Sequence, residues 1–254
     1  MANPMVKEKT DLTCEQWLSS NSQTAPQPVS KQTVETKAWF VCIQGVEHFA
    51  KSYPELLANT WALVEQAIAG SGLHPSIVPL RRVIYCSDGV VHLYDRITGE
   101  NLSDSHARQK YAGLPVQVRI NTVLTICDAL ASVCDHGFSI VDWYEGNMIF
   151  DFETEQIWLF DWELSRTGPG FELEMQSNYG SSRLMAPEEF VRGSSIDQQS
   201  LVFNLGRFTL LNVPELADEL AEEIATATYP AKYKRFETVR GFSDAIKARL
   251  TQVP

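Results

Sequence analysis

Basic residues are scarce in this sequence. Lys and Arg number 21 against 32 Asp and Glu, a formal net charge of −11. A broad nucleic-acid surface needs a basic stripe to displace counterions, so that class of partner is excluded, whereas a small phosphate pocket is not. Long hydrophobic runs are also missing. No stretch of about 18 apolar residues offers a membrane span, and the opening MANPMVKEKTDLTCEQWLSS lacks the apolar core of a signal peptide. Cysteine is sparse: Cys14, Cys42, Cys86, Cys127 and Cys134 are odd in number, scattered and without metal-ligand spacing. Together these absences predict a cytoplasmic protein with reduced thiols and neither a membrane nor a nucleic acid as partner. Cys127 and Cys134, seven apart, suit core positions on one helix. The five dispersed histidines form no metal site.

What is present is a chain of 254 residues with room for two small lobes. Residues 19–34, SSNSQTAPQPVSKQTV, are polar, contain two prolines and read as a loop. AWFVCIQ (38–44) reads as a strand. PELLANTWALVEQAIAG predicts a helix opened by Pro54 and closed at Gly70, with Leu57, Trp61, Val64 and Ile68 at helical spacing. VIYCSDGVVHLYDRI carries a hairpin signal at Ser-Asp-Gly. Pro115 to Asp135 is helical by pattern, with Ile120, Leu124, Cys127, Leu130 and Val133 on one side. MIFDF and IWLFDW read as two strands around ETEQ, and SLVFNLGRFTLLNV and ELADELAEEIATATY as helices. The expectation is an α+β chain: a polar segment over 1–34, a sheet-bearing lobe over 35–98 and a helical lobe over 99–254.

The densest chemistry lies in VDWYEGNMIFDFETEQIWLFDWE, residues 141–163. Asp142 and Asp161 each stand beside a Trp in apolar sequence, and a buried carboxylate is costly unless it is paired, hydrogen-bonded or on a metal. A hairpin between Asn147 and Asp161 returns the chain so that an amide oxygen and a carboxylate converge, hard ligands suited to Mg²⁺. Asp142 is then left to accept a proton from, or to orient, a hydroxyl nucleophile.

That division of labour is similar to the protein kinase-like superfamily, and further segments carry the resemblance. HPSIVPL (74–80) resembles the stretch after the regulatory helix, and DGVVHLYDRITGENL the strand pair that leads through the hinge. GSSRLMAPEEF (180–190) resembles the end of an activation segment, closing on Ala186-Pro187-Glu188. IDQQSLVFNLG (196–206) resembles the start of the large helix that follows, and Arg235 stands where such folds pair an Arg with that Glu. The match runs over most of residues 38–250, and DWYEGN, GSSRLMAPEEF and GSSID look like a subgroup of small bacterial kinase-like proteins.

The resemblance implies a bilobal kinase-like fold, with a small β-rich N-lobe and a mainly helical C-lobe, that binds ATP and Mg²⁺. Asp142 becomes the catalytic-loop base, Asn147 a catalytic-loop metal ligand and Asp161 the principal metal ligand. Glu65 becomes the helix glutamate that pairs with a strand lysine. Asp197 braces the catalytic loop through its backbone amides. Hinge backbone from Tyr94 and Asp95 to Ile97 contacts adenine, and Glu100 or Asp104 reaches a ribose hydroxyl. Glu188 with Arg235 is read as a structural ion pair, and ELADELAEE as a solvated helix face.

Several family features are missing. The strand lysine would fall at Cys42 or Gln44, neither of them cationic, and 19–34 contains no glycine to form a phosphate-covering loop. Val141 replaces the Arg before the base, Tyr144 the Lys after it, and Glu163 the Gly after the metal-binding Asp. Lys37, Lys51 or Lys31 is left as the substitute phosphate contact, and nothing requires phosphate on Thr167, Tyr179, Ser181 or Ser182. Three readings follow: a phosphotransferase that moves the γ-phosphate of ATP to a hydroxyl on a protein, peptide or small molecule; a pseudokinase acting as scaffold or allosteric partner; and a peptide-binding subunit of a biosynthetic complex. The Asp142–Asn147–Asp161 set favours the first.

Overall fold

Alternating burial along KAWFVCI and VEHFAKSYP builds the main sheet in the computed structural model of the protein, which describes residues 5–29 and 36–251. The chain divides into two compact units. The first is Met1–Leu73, Ile77–Thr98 and Asp161–Glu163; the second is His74–Ser76, Gly99–Phe160 and Leu164–Pro254. Both mix helix and strand, so the protein is α+β.

The first unit holds β1 (Val6–Lys9), α1 (Cys14–Asn21), β2 (Gln27–Pro28), β3 (Lys37–Ile43), β4 (Val46–Pro54), α2 (Glu55–Ala58), α3 (Trp61–Ala69), β5 (Leu80–Cys86) and β6 (Gly89–Asp95). They form one sheet in the order β1-β5-β6-β4-β3-β2, parallel at β1–β5 and antiparallel elsewhere. Gln44 and Gly45 join β3 to β4, both with positive φ (54° and 78°). This is the backbone of a two-residue turn whose twist matches the strands it joins. At Gly89 a Cβ would stand 2.1 Å from the Tyr53 carbonyl oxygen, so only glycine lets β6 pass the end of β4.

One face of this sheet is apolar. Trp39, Val41, Ala50, Val91 and Leu93 pack there against Trp17 and Leu18 of α1. Residues 1–34 were expected to be a polar segment and 19–34 a loop. Instead α1 runs to Asn21, fixed at its start by a capping box between Thr13 and Gln16. The 54–70 helix is broken in two at Thr60 (φ −130°, ψ −88°). The face of α3 that is buried carries Ala62, Glu65, Gln66, Ile68 and Ala69, while Leu57, Trp61 and Val64 are only half-buried. Polar residues occupy that face because the sheet offers them partners: Gln66 Nε2 lies 3.2 Å from His92 Nε2.

The second unit holds β7 (Glu100–Asn101), α4 (Ser105–Ala112), α5 (Val116–Asp135), β8 (Phe138–Ser139), β9 (Met148–Asp151), β10 (Gln156–Leu159), β11 (Arg166–Thr167), β12 (Gly170–Glu172), β13 (Ser195–Asp197), α6 (Gln198–Asn212), α7 (Ala221–Ala227) and α8 (Val239–Leu250). Small sheets β10-β9-β7, β11-β8 and β12-β13 flank a helical core in which α5 packs on α6 and α8, and α6 on α7. Helix α5 follows its apolar pattern: Ile120, Cys127, Leu130 and Val133 are buried, and Leu124 half-buried. It is also the helix among the described residues long and apolar enough to cross a membrane, with mean hydropathy 1.2. Its charges are spent inside the unit, however. Arg119 bonds Glu215 and the Asn212 carbonyl, and Asp128 binds Lys247 at 2.6 Å, which marks a core helix. The acidic segment after Pro214 opens with a 3-10 turn over Pro214–Leu216 and is α-helical only over α7, shorter than its pattern predicts.

Candidate functional site

Strand β4 presents Ala50 to the apolar core, so its neighbours Phe49, Lys51 and Tyr53 stand on the opposite face. There the Lys51 ammonium meets the segment that follows β10. Lys51 Nζ is 2.8 Å from Asp161 Oδ1 and 2.5 Å from Glu163 Oε2, and it sits 5.5 Å from the centre of the Tyr53 ring. The Glu163 contact is a close ion pair whose oxygen lies off the line of a hydrogen bond. From α3, Glu65 accepts the Trp162 backbone N–H at 2.7 Å. Two carboxylates thus contact one ammonium, and a third, Glu65, acts on it through its charge.

Burial pushes the Glu65 carboxyl up to about 8, with the Asp161 charge adding to it and Lys51 opposing. Burial alone would lower Lys51, but the charges of Asp161, Glu163 and Glu65 outweigh it and hold the ammonium protonated. Beside it, burial first, then Lys51 and Lys7, push His92 down to about 3. Its ring contacts Gln66 and the Tyr94 hydroxyl.

In the second unit, the loop from Asp142 to Asn147 is held by its own backbone. Asn147 Nδ2 donates to the Asp142 carbonyl at 2.9 Å, and Asn147 N–H to the Tyr144 carbonyl at 3.0 Å. Asn101 from β7 donates to the Gly146 carbonyl at 2.8 Å. Buried Glu145 pairs with Arg183 at 2.5 Å. Trp143 packs edge-on against Phe208 of α6.

Four non-glycine residues among those described have positive φ: Gln44, Asp142, Glu155 and Asp161. Gln44 and Glu155 occupy hairpin turns, where that conformation is routine. Asp142 (60°) and Asp161 (69°) do not. Left-handed backbone outside turns costs on the order of 1 kcal/mol per residue and gathers at functional sites. Both aspartates singled out by the sequence carry this strain.

The other expected residues lie as follows. Lys37, expected on phosphate, is exposed and paired with Glu15 at 2.6 Å. Gln44 is an exposed turn residue. The cation that meets Asp161 is Lys51, and Lys31 lies outside the described residues. Tyr94 is buried, and its carbonyl faces His48 Nδ1 at 3.2 Å. Asp95 is engaged by the Arg81 guanidinium, Glu100 by Lys110 at 2.7 Å, and Asp104 caps α4. Asp197, expected to brace the catalytic loop, instead caps α6 through Gln199 N–H and pairs with Lys232 at 2.7 Å. It also lines a recess of about 400 Å³ with Pro169, Gln198, Gln199, Tyr233 and Glu237. Glu188 and Arg235 form the expected ion pair at 2.6 Å.

The sequence reading missed Glu163 as a lysine partner. Alternating burial along β4 turns Lys51 to the face opposite Ala50, but VEHFAKSYP shows no matching apolar alternation, and nothing local in the sequence joins Glu163 to it.

No protein-family model matches the chain, and no curated protein matches it either. Among the described residues, no group of three or more His, Cys, Asp and Glu side chains is arranged to hold a metal ion. Mg²⁺ carried by a nucleotide needs only one or two protein oxygens, the rest coming from phosphate and water. The Asp161 carboxylate, with its side chain one-third exposed, is an oxygen donor of the kind that lesser demand needs.

Proposed function

We propose that the protein is an atypical member of the protein kinase-like superfamily, an ATP-dependent phosphotransferase acting on a hydroxyl acceptor. The observation that carries this reading is the meeting of Lys51 with Asp161 at 2.8 Å, with Glu65 on the adjoining helix. In such enzymes a strand lysine, a helix glutamate and a metal-binding aspartate serve the phosphates together. Strand order supports it as well, since β5-β6-β4-β3-β2 puts the lysine strand β4 in the sheet interior, followed in sequence by the helix bearing Glu65. The missing strand lysine is then a matter of which strand carries it: the cation sits on β4, next to β3, rather than at Cys42 or Gln44.

In this reading Lys51 would bind phosphate oxygens and Asp161 would be the metal ligand of the first unit; in the second unit Asn147 takes the family role of catalytic-loop metal ligand and Asp142 that of the base for the acceptor hydroxyl. Bound Mg²⁺ supplies charge neutralisation on the phosphoryl oxygens. Asp142 and Asp161 share a left-handed backbone outside turns, a conformation that gathers at functional sites. A pseudokinase acting as a scaffold or peptide-binding partner is the second reading, favoured by the excess of three carboxylates over one ammonium. Titration of the protein with ATP, with and without Mg²⁺, followed by calorimetry and unfolding temperature, tests the enzyme reading, since a pseudokinase binds nucleotide or nothing. A Mg²⁺-dependent rise in stability supports the enzyme, and no shift at millimolar ATP removes it.

A further inference from the structure

Two glutamates stand near Lys51, and geometry gives them different tasks. Glu163 Oε2 lies 2.5 Å from the ammonium, with only 12% of the Glu163 side chain and 14% of the Lys51 side chain exposed. Glu65 spends Oε2 on the Trp162 N–H at 2.7 Å. The ion pairs of Lys51 among the described residues are with Asp161 and Glu163. We propose that Glu163, standing where the kinase pattern has glycine, is the positioning residue that aims Lys51, while Glu65 holds the backbone at Trp162. The inference rests on the phosphotransferase reading and deepens it.

The consequence is regulatory. A lysine aimed by a helix glutamate is correctly set only when that helix is in place. Glu163 is two residues from Asp161, so the cation, its positioning carboxylate and the proposed metal ligand form one local assembly. Movement of α3 then reaches Lys51 only through the Trp162 backbone that Glu65 holds, and not by breaking a direct pair between a helix glutamate and the lysine. Low exposure of both partners keeps the ion pair little screened and geometrically fixed. Lys51 bonds Asp161 through Oδ1.

The test uses the full chain with Glu163→Gln, Glu163→Asp and Glu65→Gln. Without nucleotide, the ¹⁵Nζ signal of the Lys51 ammonium, seen only when the group is protected from exchange, is expected in wild type and Glu65→Gln and lost in Glu163→Gln. Calorimetric affinity for Mg²⁺–ATP is expected to fall at least about tenfold in Glu163→Gln, the size of one lost charge-assisted contact. It recovers in part in Glu163→Asp and falls less in Glu65→Gln. Loss of the signal in Glu65→Gln with retention in Glu163→Gln overturns the proposal. So does Glu163→Gln affinity equal to or above wild type, which makes Glu163 a competitor of phosphate. Where Glu163→Gln does not fold, ammonium exchange in Glu163→Asp against Glu65→Asp decides: faster in the former supports the proposal, faster in the latter overturns it. The expected signal pattern in a protein that binds no Mg²⁺–ATP leaves Glu163 as the partner of Lys51 and removes the phosphotransferase reading instead.

Discussion

Lys51 and Asp161 are 110 residues apart in sequence and meet at 2.8 Å, joining a sheet strand to the segment after the β9–β10 hairpin. The ammonium pairs with Asp161 and Glu163 in a largely buried setting, so its removal leaves uncompensated charge. Lys51→Met is expected to destabilise the protein by about 3–5 kcal/mol, the usual result of breaking a buried pair from one side. Lys37→Met removes only an exposed pair with Glu15 and is expected to leave the denaturant midpoint unchanged. Equal midpoints for the two variants would contradict this account.

Stability should peak in mildly acidic solution. His92 is pushed down to about 3 in the fold from an ordinary 6.5, so the unfolded chain binds the extra proton between those values. Its stabilisation is complete above about 6.5 and is lost as pH falls toward 3. Glu65 works in the opposite sense. Raised from 4.5 to about 8, it takes up a proton on folding and costs stability as pH rises through that window. Each effect is bounded at about 5 kcal/mol by linkage. Unfolding curves from pH 3 to 9 should show a plateau with two falling flanks. His92→Phe is expected to flatten the acid flank and Glu65→Gln the alkaline one; an unchanged profile in either refutes the assignment.

Gln44 holds positive φ (54°) without being glycine or asparagine. Gln44→Asn supplies the residue that this turn favours and is expected to stabilise the β3–β4 hairpin by about 0.5–1 kcal/mol. Equilibrium unfolding measures it, and a loss of stability would mean that the turn conformation is misassigned.

Arg235 uses all five guanidinium hydrogens, two on Glu188 and the others on the carbonyls of Gln199, Tyr229 and Pro230. A lysine cannot reproduce that fork. Arg235→Lys and Arg235→Ala are therefore both expected to lose stability, by about 3 kcal/mol or more for alanine. Full retention in the lysine variant would show that charge alone suffices.

Elements with one dominant period were legible in the sequence. Helix α5 and the β9–β10 hairpin stand where Ile120–Val133 and the ETEQ turn put them. Elements whose burial mixes polar and apolar residues were not. Helix α1 buries Trp17 and Leu18 inside a polar stretch, and α3 turns Glu65 and Gln66 inward because Trp162 N–H and His92 satisfy them. In the candidate site, Asp142, Asn147 and Asp161 stood out as carboxylates and amide among tryptophans. Lys51 was one of three lysines in contention, because its strand was hidden in VEHFAKSYP. Glu163 could not be read as its partner, since that role depends on a contact 112 positions away.

The most direct test of the central claim is calorimetric titration of wild type and Asp161→Asn with ATP, with and without Mg²⁺. Asparagine tolerates the left-handed backbone at 161, so the substitution removes charge while sparing the fold. The account predicts Mg²⁺-dependent binding by wild type that Asp161→Asn abolishes, in a variant that remains folded. Binding that is absent in wild type, or indifferent to Mg²⁺ and to residue 161, would contradict it.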